Sequence, residues 1–481
     1  MQPDRDEVGG RYSKYVLLVL IIVYVFNFID RQILSILAEE IKADLGISDA
    51  DIGFLYGTAF AVFYAVFGIP LGRMADVWVR KNLISLGLGF WSLMTALSGT
   101  ARSFVSLAGY RFGVGVGEAS ATPAAFSMLS DLFPPRMRAT VLAIYSSGIY
   151  IGAGIGLFLG GSIVDGWNSA FPDPADAPFG LKGWQAAFFA VGLPGLAMAL
   201  WVWTLREPRR GQSEGIFTPE HPHPFRESGR ALAAVVPPFT AAALYLEGGT
   251  RALVINLAAA LAIGAAAYAA NVATQTPNQW IALGVGVYAA VSWVHNLKLS
   301  DPATFGMMFG SRAFVLTTIG FPAISFVTYG VGFWSPPLML RVHGVSPTEV
   351  GTVLGLGAAL GGWLGITLGG WLADHLRRYM RAASPSACSR RCGSVPPPAP
   401  STRPYLIGQV SDVYIRQGWE QGDALRQAML GGLGMLLVSM GFLMWACAAR
   451  KTAVSIAPAA SASRSRCARA GAAAPGPAPR A

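Results

Sequence analysis

Four charged side chains stand where charge is costly. Asp30 and Arg31 interrupt one long apolar run, and Arg111 and Glu118 lie in another. Each run is long enough for a helix of about 20 residues, the length that crosses a bilayer. A charge in such a run costs several kcal/mol and by default suggests a functional site. Neighbours in sequence do not share a helix face, so Asp30 and Arg31 must reach different surroundings, one a cavity and one an adjacent helix. Arg111 and Glu118 are separated by two helical turns and therefore share a face. A carboxylate in a dry cavity holds its proton tightly, and a nearby guanidinium loosens it. That competition suits exchange of a proton against a substrate. Arginine also binds phosphate and carboxylate bidentately, which suits an anionic head group. The plainer alternative is a fixed ion pair that ties two helices together.

The elements that position these residues are helices in a membrane. Of 481 residues, 53% are hydrophobic and 13% are charged, against about 25% charged in soluble chains. The apolar runs have no polar face, so they are not surface helices. A soluble enzyme, a nucleic-acid binder and a disulfide scaffold fit poorly. Spans are expected near 15–37, 52–72, 82–101, 104–130, 139–163, 184–205, 251–271, 279–297, 312–340, 349–373 and 424–448, about eleven in all. The Pro-containing stretch 233–246 reads as interfacial or as the lead-in to the next helix. The net charge of +10 comes largely from loops and the C-terminal tail. Arg73, Arg80 and Lys81, then Arg136 and Arg138, then Arg206, Arg209 and Arg210 alternate with loops holding lone bases. The positive-inside rule puts the N-terminus in the cytoplasm. No cleavable signal is expected. The four cysteines form no CxxC pair, so neither a metal nor another cofactor is expected.

The chain repeats itself. Ser48-x-x-Asp51-x-Gly53-x-x-x-Gly57 recurs as Ser346-x-x-Glu349-x-Gly351-x-x-x-Gly355. Gly72-Arg73-Met74-Ala75-Asp76 recurs as Gly370-Trp371-Leu372-Ala373-Asp374 at the same offset of 298 positions. Each serine reads as an N-cap with an acid in the first turn. Two parallel halves with substrate between them are a plan of secondary transporters.

Gly72-x-x-x-Asp76 followed by Arg80-Lys81 resembles the signature loop of the major facilitator superfamily, with Val77 and Val79 at places that usually hold a base and a glycine. Arg111-x-x-x-Gly115-x-x-x-Ala119 resembles its second motif. Asn27 to Arg31, Gly115 to Ala119 and Phe133 to Thr140 look like the Spinster-like branch. The resemblance implies an all-α polytopic membrane protein, a two-half helical bundle that works by alternating access. It makes Gly72, Asp76, Arg80, Lys81, Gly370 and Asp374 gating-loop residues. It implies a lipid or amphiphilic anion as substrate, with proton coupling through Asp30, Arg31, Arg111 and Glu118. Gly148, Gly152 and Gly156 sit at the spacing that lets helices approach closely. Tyr145, Tyr150, Phe326, Tyr329 and Trp334 either pack or line an acyl-chain cavity.

Two departures stand out. Residues 207–311 hold a loop and an inserted two-span hairpin. Residues 376–404 are rich in Ala, Ser, Pro and Arg, and read as a segment without regular structure. The expected organisation is therefore 1–206 as the first half-bundle, 207–311 as the insertion and 312–375 as the start of the second half. Then follow 376–404, a remnant with a final span at 405–450, and a disordered tail at 451–481. A truncated second half follows, since one further span after 373 would export the basic tail. The function expected is secondary transport of an amphiphilic anion in a bacterial inner membrane, and no enzyme. The alternatives are a carrier of small organic anions such as sugar acids, and a non-transporting product of a damaged reading frame. The expected partners are the small-molecule or lipid substrate and membrane lipids, without nucleic acid. The chain is expected to be monomeric.

Overall fold

The computed structural model describes residues 8–216, 221–383 and 403–434, together with Met440, Gly441 and Trp445. Its described residues are helical over most of each expected span, and no strand occurs among them. The first half runs through α1 (Arg11–Ile36), a short α2 (Ala38–Leu45), α3 (Asp49–Gly53) and α4 (Ala59–Val77), the last two joined by a π-turn at Phe54–Thr58. Next come α5 (Arg80–Ser98), α6 (Phe104–Glu118), α7 (Ala121–Leu132), α8 (Arg138–Ser146), α9 (Gly148–Ala170) and α10 (Gly183–Trp203). The insertion holds α11 (Pro224–Ala233), α12 (Phe239–Thr274), α13 (Pro277–Ser300) and α14 (Pro302–Phe309). The second half supplies α15 (Arg312–His343), α16 (Pro347–Ala383), α17 (Arg403–Arg416) and α18 (Gln421–Leu433). Seven helical stretches among the described residues are long and apolar enough to cross a membrane.

The local chemistry explains several starts and stops. Ser48 accepts from the Asp51 amide while the Asp51 carboxylate accepts from the Ser48 amide, a capping box that opens α3. The repeat serine, Ser346, accepts from the Glu349 amide at 3.2 Å at the start of α16. α15 ends at Gly344, whose φ of 59° suits a residue without Cβ.

The stretch 233–246 leads into the next span: α12 begins at Phe239, and non-helical backbone at Gly249, with a φ of 65°, separates this first piece from the rest of the helix. Two other expectations need correction. The spans expected at 104–130 and 139–163 each break once, at Ala119–Ser120 and at Ser147. The segment expected to lose structure from 376 is helical as far as Ala383, since Leu, Arg, Met and Ala there are strong helix formers. The rest of that segment, 384–402, and the tail lie outside the described residues. So does most of the final span beyond Leu433.

Two large apolar clusters form the core. One lies within the first half and centres on Leu88, Trp91, Val114, Met128 and Val202. The other crosses between halves, joining Ile33, Leu37 and Phe54 to Phe333, Trp334, Val350 and Tyr405. The hairpin is different. Val62 and Val66 of α4 meet Val235 and Ala289 in a small cluster, and Asn256 donates to Ser292 at 2.8 Å in a polar seam between α12 and α13.

Candidate functional site

The four intramembrane charges come together. Arg31 Nε donates to Glu118 Oε2 at 2.6 Å, joining α1 to the end of α6. Arg111 Nη1 donates to the backbone oxygen of Asp30 at 3.3 Å. Asp30, Arg111 and Glu118 are all at most 1% exposed. The guanidinium of Arg31 lies over the rings of Phe60, Phe28 and Tyr64, at 4.4, 5.0 and 5.0 Å. Aromatic faces stabilise a cation where water is scarce.

The neighbouring residues Asp30 and Arg31 do reach different helices. Arg31 reaches Glu118, whereas the Asp30 carboxyl faces Trp91 and Thr95 of α5. Among the described residues, Asp30 Oδ1, Glu118 Oε1 and Arg111 Nε and Nη2 are buried without a hydrogen-bond partner, as are Thr95 Oγ1 and Trp91 Nε1. Buried polar atoms are normally paired. The open donors and acceptors here are grouped around the four charges. Trp91 and Thr95 were not legible as site residues, because uncharged side chains in an apolar run carry no periodic signal.

The loop residues divide in their roles. Arg80 is fully buried and holds the loop to two other places. Its Nε donates to Glu207 Oε1 at 2.7 Å, its Nη1 to Ser127 at 2.9 Å and to Asp131, and its Nη2 to the Pro208 carbonyl at 2.7 Å. Lys81 Nζ donates to the Trp203 carbonyl at 3.0 Å. Arg210 reaches back to the carbonyls of Ala75 and Trp78. Burial, and then Arg80 beside it, push the Arg210 guanidinium below its usual proton affinity. Asp76 is exposed, and a Cβ at Gly72 would meet nothing within 4 Å. Gly370 and Asp374 lie on α16, but their side chains fall outside the described residues. The sequence reading missed Asp131 and Glu207. Both are acids at helix ends on the same face as Arg80, and charge pairing was the available signal.

The glycines of α9 pack on two sides. A Cβ at Gly152 would lie 2.8 Å from Phe28 Cβ, and one at Gly156 would lie 3.0 Å from the Ile29 Cα. Gly148 faces Ile21 and Tyr24 of α1. The opposite side of α9, through Gly154, meets Ala359 and Gly355 of α16. Of the aromatics, Tyr145 stacks on Tyr24 at 4.4 Å and Trp334 is fully buried, so both pack. The side chain of Phe326 lies outside the described residues.

A third charge cluster was not expected. On the face opposite the Gly72–Lys81 loop, Arg341 of α15 donates to both Asp49 oxygens, at 2.8 and 2.6 Å, and to Glu39 at 2.7 Å. Lys42 also pairs with Asp49. This ties the second half to the first.

The comparisons with known proteins agree with this geometry. The family profile described as Major Facilitator Superfamily matches residues 20–389. An "MFS-type efflux pump" of Mycolicibacterium smegmatis is 38% identical over 168 residues, which cover 34% of this chain and 39% of that protein. A "Probable galactarate/D-glucarate transporter" of Escherichia coli is 29% identical over 211 residues, 42% of this chain and 44% of that protein. "Protein spinster homolog 1" of Rattus norvegicus is 26% identical over 454 residues, 91% of this chain and 66% of that protein. The chain thus spans less than half the length of most of the first curated relatives it matches. A solved structure, a bacterial homolog of the human lysosomal transporter Spinster in an inward-facing and unoccupied conformation, has a TM-score of 0.62 at 24% identity. It covers 91% of this chain and 98% of that one, and it shows the shared fold. By its family profile the chain belongs to the Major Facilitator Superfamily of membrane transporters, and within it the chain is similar to Spinster proteins.

Proposed function

We propose that the chain is a proton-coupled secondary transporter that moves an amphiphilic or lipid-like anion by alternating access. It sits in a bacterial inner membrane as a monomer, with its N-terminus in the cytoplasm. The observation that carries this reading is the buried cluster of Asp30, Arg31, Arg111 and Glu118. Arg111 uses one donor on a backbone oxygen and keeps Nε and Nη2 open. A guanidinium with open donors in a dry site favours an anion. Glu118 holds Arg31 through one oxygen and leaves the other open. Protonating Glu118 would weaken that pair and free a second cation for the substrate. The proton and the anion would then bind in support of each other.

Purified protein in vesicles under an imposed pH gradient tests this, with an anionic lysophospholipid as substrate. Glu118→Gln keeps the shape and removes the titrating group. Gradient-driven movement should fall to the level of the gradient-free control, while downhill exchange persists. Undiminished stimulation by the gradient would remove Glu118 from coupling. The likeness to a galactarate/D-glucarate carrier supports a second reading, transport of small sugar acids. Uptake of galactarate but not of the lysolipid would select it.

A further inference from the structure

Ser35 Oγ donates to the Phe333 carbonyl at 2.5 Å. These residues are 298 positions apart, the same offset as the sequence repeat. A residue that touches its own repeat mate lies on the axis relating the two halves. The same offset pairs Asp49 with Pro347 and Ala50 with Thr348.

On one side of the axis, α9 meets the start of α16. A Cβ at Gly161 would lie 2.6 Å from the carbonyl carbon of Pro347. One turn later, Asp165 Oδ2 accepts from the Thr348 amide at 2.7 Å. On the other side, α17 meets the start of α3. A Cβ at Gly408 would lie 2.7 Å from the carbonyl carbon of Asp49. One turn later, Asp412 Oδ2 accepts from the Ala50 amide at 2.8 Å. Gly161-x-x-x-Asp165 and Gly408-x-x-x-Asp412 therefore make equivalent contacts on equivalent residues. Each glycine lets backbones touch, and each carboxylate satisfies an open amide at a helix start in the opposite half.

We propose that Asp165 and Asp412 are paired positioning residues for transport. Together they hold closed the face opposite the Gly72–Lys81 loop, and they release together when the halves rock. The proposal rests on the alternating-access reading above. It also assigns α17 to the place that the end of α9 holds in the first half. Asp76 and Asp165 are 89 positions apart, whereas Asp374 and Asp412 are only 38 apart. The second half thus has 51 fewer residues over this stretch. The two sides differ in one respect. Asp49 also binds Arg341, and Ser411 donates to it at 3.0 Å, while its mate Pro347 has no carboxylate. The α9 side is accordingly the weaker one.

The full chain in lipid nanodiscs provides the test, with Cys388, Cys392, Cys447 and Cys467 changed to Ser. Spin labels go at exposed Ser169 and His343 across one seam, and at exposed Ala43 and Gln417 across the other. Asp165→Ala and Asp412→Ala should each lengthen the distances at both label pairs, with the larger shift for Asp165→Ala. Asp165→Asn and Asp412→Asn keep an acceptor oxygen and should match the parent. A variant that moves only its own pair would show local capping and overturn the proposal, as would no shift. Gly408→Ala, which pushes α17 from the Asp49 carbonyl, should reproduce the Asp412→Ala result if that variant folds poorly. Transport by the parent is measured separately. Coupled shifts with a parent that moves neither lysolipid nor galactarate would keep the clasp and remove the transport reading. Transport without coupled shifts would do the reverse.

Discussion

Applied to the repeat offset, Asp30 and Arg31 of α1 correspond to Thr328 and Tyr329 of α15. The backbones match and the chemistry does not. In the first half, Arg31 is held by Glu118 at 2.6 Å and by aromatic faces. In the second half, Thr328 donates back to the Ile324 carbonyl of its own helix, at 3.2 Å. Tyr329 lies within electrostatic reach of Arg31. At these two repeat-related positions the first half carries charge and the second carries neutral side chains. Two copies of one frame thus present different chemistry at equivalent places.

The largest expected effect comes from making the first half resemble the second. Arg31→Tyr leaves Glu118 buried without its cation. Removing one partner of a buried pair costs about 3–5 kcal/mol. Thr328→Ala removes a hydroxyl from an exposed position and should stay within about 0.5 kcal/mol. Reversible unfolding in detergent measures both. Equal losses would mean that the charge cluster contributes no more to stability than its neutral repeat equivalents.

The glycines give a smaller contrast. Gly152 of α9 sits against Phe28 and the Val25 backbone, whereas a Cβ at Gly361 of α16 would meet nothing within 4 Å. Overpacking of a tight contact costs about 1–3 kcal/mol, so Gly152→Ala should destabilise by that much. Gly361→Ala should be neutral or gain up to about 1 kcal/mol, because alanine loses less backbone freedom in a helix. A loss at Gly361 equal to that at Gly152 would show that glycine is needed for flexibility there and not for space.

Much of this was legible from the residues. Long apolar runs fixed the helical class because hydrocarbon leaves no other use for them. The repeat offset was legible from Ser48 and Ser346, and the contact of Ser35 with Phe333 falls at the same offset. The convergence of Asp30, Arg31, Arg111 and Glu118 followed from the cost of burying charge. The neutral members of the site were not legible, since Trp91 and Thr95 look like any packed residue in a span. Nor were the partners of Arg80. Asp131 and Glu207 lie 51 and 127 positions away, and only the folded bundle brings them to one guanidinium. The bend at Ala119 did have a signal, since Pro123 four residues on cannot donate to the Ala119 carbonyl, whereas the bend at Ser147 has no Pro to announce it.

The smallest expected effect concerns the junction of α4 and α5. Arg73 lies in the last turns of α4 and Arg80 opens α5, yet their surroundings differ. Arg80 is fully buried and spends its donors on Asp131, Glu207, Ser127 and the Pro208 carbonyl. Arg73 has half of its side chain exposed and approaches Glu227 of α11 at 4.0 Å. In the repeat its place is taken by Trp371, so the frame does not require a charge there. An exposed pair at that distance contributes about 0–1 kcal/mol, because water screens it and two long side chains lose freedom to form it. Arg73→Ala should therefore lower stability by less than about 1 kcal/mol. Any difference should vanish in 1 M salt, where charges are screened over about 3 Å. A larger loss, or one that persists in high salt, would show that the inserted helix α11 is bound to the first half through this residue. The insertion would then be part of the moving half-bundle, and the contrast between a charged first half and a neutral second would extend to the hairpin as well.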